Sequence, residues 1–195
     1  MTNKIRLIAG LGNPGNEYDR TRHNAGFDFI DELAHVLKVQ LKSDKKYFGE
    51  VGKTVINNQD VWLLKPMTFM NRSGQAVQAL AQFYKIELSE ILIAHDELDL
   101  PPGTAKLKTG GGHGGHNGLR DIIACMSNQR DFHRLRIGIG HPGSSDQVVS
   151  FVLSKPAPKE ETLIQNAISE AINNRDNIVS HWHKAMTHMN QFKAE

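Results

Sequence analysis

The sequence predicts an α/β fold: a single domain built on a twisted, mixed, mostly parallel β-sheet surrounded by α-helices. Three observations carry that prediction. Strand-like apolar runs and amphipathic helical stretches alternate along the whole chain, the pattern left by helical crossovers between parallel strands. Only one pair of strand-like runs is close enough in sequence to form a hairpin, so antiparallel pairing is a local insertion. The 195 residues, 39% of them hydrophobic, suffice for one sizeable core, and no linker, repeat or low-complexity segment divides them.

Taken in order, "KIRLIAG" (4–10) is an apolar run and reads as a buried strand. The opening "MTNKIRLIAGLG" has a basic start, but glycines interrupt its apolar run and no cleavage-like site follows. It therefore reads as that first strand and not as a signal peptide. Phe27, Ile30, Leu33, Ala34 and Leu37 recur at helical spacing and predict a helix over about 25–38, with Asn24 as its N-cap. Strand-like runs at about 47–56 and 60–65 are divided by "NNQ", a hairpin turn. "NRSGQAVQALAQFY" (71–84) is helical, with Val77, Leu80, Ala81 and Tyr84 on one face. "ILIAHDELDLPPG" (91–103) starts as a hydrophobic strand and ends in acids and a Pro-Pro-Gly turn. "TAKLKT" (104–109) alternates as a strand and leads into "GGGHGGHNG" (110–118). Leu119, Ile122, Ile123 and Met126 mark the next helix, with Asn117 near its start. "FHRLRIGIG" (132–140) is a strand, "HPGSS" (141–145) a turn, and the last forty residues are helical.

Composition bounds the function. Aliphatic runs such as "ILIA" (91–94) are far too short to span a bilayer. The one cysteine, Cys125, excludes an internal disulfide and a cysteine-based zinc site, which suits the reducing cytoplasm. The net charge of +2 argues only weakly for nucleic acid. Its distribution says more: between 104 and 136, Lys106, Lys108, Arg120, Arg130, Arg134 and Arg136 face only Asp121 and Asp131, six positive charges against two. A basic segment beside a glycine-rich loop can meet phosphates; on charge alone it is equally an ordinary solvated face.

Several motifs fail their context. "GLGNPG" (10–15) matches G-x-G-x-x-G after a strand, but the next helix starts about ten residues on, and Asp31 and Glu32 fall inside that helix. A tight turn carrying Asn13 to the carboxyl edge of the sheet fits better, and open α/β sheets place their sites there. The glycine loop is followed by no Gly-Lys-Ser/Thr, so it is not a P-loop. His113 and His116 lie three apart in a loop rather than on a helix face, with no third ligand at a suitable spacing; Asp96 and Glu97 would have to supply one through the fold, so no metal site is expected. Asn117 taken singly is a helix cap, and His23 taken singly is a surface loop residue. No serine or cysteine sits in a nucleophile elbow. Strand-end loops nonetheless carry Asn13, His23, Asn71, Asp96 and Asn117. That set offers a histidine base, a carboxylate to orient it, and carboxamides able to read a peptide backbone.

"GLGNPGNEYDRTRHNAG", "PMTFMNRSG", "HDELDLPPG" and "KTGGGHGGHNGLRDI", followed by "FHRLRIGIGHPG", resemble the bacterial-type peptidyl-tRNA hydrolase family, in family order and without departure at a motif position. The resemblance extends from residue 4 to the C-terminal helix. It implies a monomeric α/β protein with no metal or organic cofactor and no obligate protein partner. Its implied activity is cleavage of the ester between peptide and terminal ribose in peptidyl-tRNA, which recycles tRNA from stalled or abandoned translation. Residue by residue, it implies His23 as the base that activates water and Asp96 as its orienting partner. Asn13, Asn71 and Asn117 would form the polar lining around the peptidyl end, and Tyr18, Phe69 and Met70 the wall beside it. Lys108 and Arg136 would hold the 5′-phosphate region of the acceptor stem. Two other classes stand against this reading. An RNA-binding module without hydrolytic activity would not need His23 with Asp96, and a metal-dependent peptidase would be sensitive to chelators.

Overall fold

A computed structural model describes residues 4–195. The strands are β1 (Leu7–Gly10), β2 (Lys42–Asp44), β3 (Gly49–Ile56), β4 (Gln59–Pro66), β5 (Ile91–Glu97), β6 (Ala105–Thr109) and β7 (His133–Gly138). The helices are α1 (Ala25–Val36), α2 (Ser73–Phe83), α3 (Asn117–Cys125), α4 (Val148–Val152), α5 (Pro158–Asn173), α6 (Arg175–Ser180) and α7 (Trp182–Gln191). The strands make one sheet in the order β2-β3-β4-β1-β5-β7-β6. Its centre, β4-β1-β5-β7, is parallel, and both flanks are antiparallel. No helix among the described residues is long and apolar enough to cross a membrane.

Alternation along each strand feeds two cores. Ile8, Leu63, Leu92, Ala94, Leu135 and Ile137 pack with α1, α5, α6 and α7. Leu7, Ala9, Leu64, Ile91 and Ile93 pack with α2 and α3 on the opposite face. That second face changes character at its β7–β6 end. Arg134 is in register with Ile93 and with Lys108, and Arg136 with Lys106, so four cations line the sheet where its neighbours line a core.

Local chemistry explains where sequence expectations shift. The hairpin turn is Asn57-Asn58, both at positive φ (50° and 62°), a type I′ geometry that asparagine tolerates and that matches the twist of the strands. The expected strand at 47–56 begins only at Gly49. Lys45–Tyr47 form a 3-10 turn, capped by the Asp44 side chain accepting from the Lys46 N–H (3.0 Å) and closed by Phe48 at positive φ. The short edge strand β2 precedes that turn, and α4 follows the "HPGSS" turn; neither was expected.

The start of α1 is the joint that places the site. The Phe27 N–H donates to the Leu11 carbonyl and the Leu11 N–H to that of Ala94, both at 3.0 Å. The first turn of α1 therefore lies directly on the carboxyl ends of β1 and β5. Gly26 makes this approach possible: a Cβ there would sit 2.4 Å from both the Ala94 oxygen and the Leu11 nitrogen, backbone atoms that cannot rotate away. Gly26→Ala should therefore destabilise the protein by about 3 kcal/mol, the upper range for overpacking. The denaturant midpoint checks this, and an unchanged midpoint would contradict the joint.

Candidate active site

The turns leaving β1, β4 and β5 and the start of α3 border one cavity of about 880 Å³. At its base lies Asp96, the sixth residue of β5, 4% exposed. Its Oδ2 is 2.9 Å from Nδ1 of His23, and its Oδ1 is 2.8 Å from Nε2 of His116. His23 sits in the 3-10 turn Arg22–Asn24 that runs straight into α1. The Arg22 guanidinium stacks on Phe151 (3.9 Å) and donates to Ser154 Oγ (2.6 Å), tying this turn to α4.

These bonds settle where the protons are. Nδ1 of His116 accepts from the N–H groups of Gly118 and Leu119 (3.1 and 3.2 Å), so its proton is on Nε2 and is donated to Asp96. His23 turns Nδ1 to the carboxylate and so carries its proton there. Its Nε2 lone pair is left to the cavity that His23 lines. Burial opposes protonation of His23, but the charge and hydrogen bond of Asp96 outweigh it and hold the ring above the ordinary histidine value. Asp96 is itself buried, yet the two histidines hold it far below the usual carboxylate range. His95 donates from Nδ1 to the Asp96 carbonyl oxygen (2.8 Å); burial first, then His116, push its pKa down to about 3, so it stays neutral.

The polar wall is built by a clasp. Asn24 accepts the Asn13 N–H (2.8 Å) and donates to the Asn13 carbonyl (3.0 Å), while Asn13 Oδ1 accepts the Met70 N–H (2.7 Å). The carbonyl of the Asn13 amide is thereby used, and its NH₂ remains as a donor at the cavity. Met70 and Asn71 lie in a 3-10 turn (Met70–Arg72) at the mouth, with Phe69 just before it. Tyr18 meets Phe69 edge-on, ring centres 6.4 Å apart. Asn117 opens α3, and Lys108 and Arg136 stand on the basic end of the sheet; all three border the same cavity. Every residue expected from the sequence thus lines one space.

Two local expectations are corrected. Asn24 precedes α1 but does not cap it, because its side chain is engaged with Asn13. Asn117 is not the cap of α3. His116 holds that place, and Asn117 instead accepts from Arg120 (3.1 Å). His116 is also the site residue that sequence reasoning passed over. The other omission is an apolar wall from Val149, Val152 and Leu153 in and after α4, signalled only by the run "VVSFVL".

His23, Asp96 and His116 are close enough to suggest a metal, with one ligand atom of each within 4.8 Å of the others. The donor set does not fit one. A neutral imidazole that ligates through Nε2 carries its proton on Nδ1, and Nδ1 of His116 already faces two N–H donors.

A family model described as peptidyl-tRNA hydrolase matches residues 7–195. The peptidyl-tRNA hydrolase of Alcanivorax borkumensis is 56% identical over 195 residues, covering all of both chains. That of Vibrio parahaemolyticus is 55% identical over 196 residues, again covering both completely. The crystal structure of peptidyl-tRNA hydrolase from Acinetobacter baumannii superimposes with a TM-score of 0.94 at 52% identity, covering 99% of this chain and 97% of that one.

Because Asp96 is what raises His23, replacing it must leave burial to act alone. In Asp96→Asn the His23 imidazole, titrated by NMR, should move from above to below the ordinary value of about 6.5. A titration still above that value would show that Asp96 does not set it.

Proposed function

This chain belongs to the peptidyl-tRNA hydrolase family and hydrolyses peptidyl-tRNA, and we propose that His23 is the general base of that reaction, oriented by Asp96. The observation that carries this is the 2.9 Å bond from His23 Nδ1 to Asp96, which commits one ring nitrogen and leaves the other, Nε2, as a lone pair at the cavity. Nε2 takes a proton from water as its oxygen attacks the ester carbonyl. The tetrahedral intermediate then collapses, the ribose oxygen leaves, and the imidazolium returns the proton to it. The products are a peptide with a free carboxylate and a tRNA with a free terminal hydroxyl. An ester leaves readily enough that no covalent enzyme intermediate is required.

Asn13 offers its NH₂ to the carbonyl of the first peptide bond, with Asn71 and Asn117 completing a lining that reads backbone rather than side chains. A substrate with a free α-amine lacks that carbonyl and brings a positive charge, which favours N-blocked substrates. Tyr18, Phe69 and Met70 form the apolar side of the peptide's place. Lys108 and Arg136 take phosphates of the acceptor stem. Glu97 Oε1 holds the Arg136 Nε at 2.9 Å, fixing the guanidinium at the cavity edge. The protein works without a metal, as a monomer in the cytoplasm; the substrate's location and the single thiol Cys125 support that compartment.

One set of assays tests these roles: kcat/KM on N-blocked and unblocked aminoacyl-tRNA for wild type, His23→Ala and Asn13→Ala. His23→Ala should lose about 10²–10⁴-fold on the N-blocked substrate. In wild type, activity should fall as the pH drops through a His23 pKa above 6.5, because only the neutral ring accepts a proton. Asn13→Ala should lose more on the N-blocked substrate than on the other, narrowing their ratio. Activity of His23→Ala within tenfold of wild type removes His23 as base, and a fixed ratio in Asn13→Ala removes Asn13 as discriminator.

A further inference from the structure

The glycine loop between β6 and α3 is pinned from beneath by one side chain. Arg134, on β7 and 3% exposed, donates from Nη1 to the Gly112 carbonyl and from Nη2 to the Gly111 carbonyl. The guanidinium is a rigid planar fork, so it takes two successive carbonyls only if both point the same way. Each peptide unit is planar and trans, which places the following N–H opposite its carbonyl. The N–H groups of Gly112 and His113 therefore both point away from Arg134. Neither meets a protein acceptor among the described residues. Gly112 and His113 both line the cavity that holds His23.

Gly111 makes this arrangement possible. It stands at φ +100° while the Gly112 that follows is not at positive φ, and that change of backbone hand across two successive residues turns their amides to one side, the concave arrangement that binds anions. The surroundings carry a matching charge. Lys108 Nζ lies 2.8 Å from where a Gly111 Cβ would be, Arg130 Nη1 is 3.9 Å from that position on Gly112, and Arg134 lies behind both carbonyls. Of the carboxylates near this loop, Asp131 is beside Gly110 and Asp96 meets its far end at His116. The loop also lies between the two parts of the substrate's path, joining Lys108 on β6 to His116 and Asn117 at the start of α3.

We propose that the Gly112 and His113 N–H groups, aligned by Arg134, form an anion-binding nest that holds a phosphodiester of the tRNA's single-stranded 3′ end, next to the ester. This rests on the reading that the cavity receives that end. A permanent anion among three cations fits the phosphodiester better than it fits the transient oxyanion of the reaction. The nest would draw the terminal nucleotides into line without reading their bases. Arg134 is then a positioning residue: it touches no substrate and acts through the loop.

The test uses the full chain. On adding inorganic phosphate, the ¹H–¹⁵N signals of Gly112 and His113 should shift saturably in wild type and not in Arg134→Lys, which keeps the charge but cannot hold both carbonyls. Kinetics supply the second arm. Gly112→Ala has room for its methyl beside Arg130 and keeps the N–H, so any rise in its KM should be smaller than that of the proline variant at the same position. Gly112→Pro lacks the N–H and should raise KM for N-blocked aminoacyl-tRNA by about tenfold. The proline variant should lose much less on an N-blocked aminoacyl ester of unphosphorylated adenosine than on the tRNA substrate. Equal losses on both substrates would move these amides to the reaction's oxyanion and overturn the nest. So would phosphate shifts confined to other residues. Failure of the wild-type protein to cleave N-blocked aminoacyl-tRNA would instead overturn the functional reading, and the phosphate titration would still decide whether the nest exists.

Discussion

One buried carboxylate accepting from two histidines is the constraint on which the site depends. A lone Asp96 at this depth would be driven toward its neutral form. Two N–H donors from different parts of the chain keep it ionised, and each ring is in turn fixed by what it gives. His23 loses the choice of tautomer and presents Nε2. His116 is locked from its other side by the first amides of α3, so the charge of Asp96 is connected through one ring to a helix N-terminus. The two rings meet the carboxylate through different nitrogens, Nδ1 of His23 and Nε2 of His116, and one histidine is left with a free lone pair, the other with none.

The scaffold serves that carboxylate by bringing loop starts together on the carboxyl edge of a parallel sheet. β5 delivers Asp96, α1 is pressed onto the ends of β1 and β5 and carries His23 ahead of it, and α3 is capped by His116. Small residues make the crowding possible. Gly26 lets α1 touch strand backbone, and Gly74 lets α2 approach Asp121 of α3, whose Oδ2 accepts the Gly74 N–H at 2.8 Å. That last contact couples the two helix starts that bear Asn71 and Asn117. At the β7–β6 end of the sheet this face carries Arg134, Arg136, Lys106 and Lys108 in place of apolar residues, and the glycine loop lies over Arg134. The edge that bears Asp96 and the basic end are thus consecutive stretches of one sheet.

Much of this was legible in the sequence, and what was not has a physical reason. Alternating strand and helix patterns mark the sheet because period and apolarity are local properties. Asn13, His23 and Asp96 stood out as polar residues at strand ends, where an open α/β sheet must put its chemistry. β2 and α4 are three and five residues long, too short for a periodic signal to accumulate. Asn24 and Asn117 looked like caps because capping is read from neighbours. The Asn24 amide is engaged eleven residues away, with Asn13. His116 left no trace of its role because the Asp96 it meets is twenty residues distant and adjacent only through the fold. Arg134 and Arg136 alternate with Leu135 in plain view, yet only the register with β5 shows that they continue the face that bears Ile93.

Side-chain ¹⁵N chemical shifts of the histidines read directly which ring nitrogens carry the protons around Asp96. At a pH above the His23 pKa, with the full chain free of substrate, His23 should be protonated at Nδ1 and bare at Nε2, and His116 protonated at Nε2 and bare at Nδ1. Opposite tautomers in one spectrum, joined through Asp96, are the expected result. A His23 protonated at Nε2, or a His116 protonated at Nδ1, would contradict it.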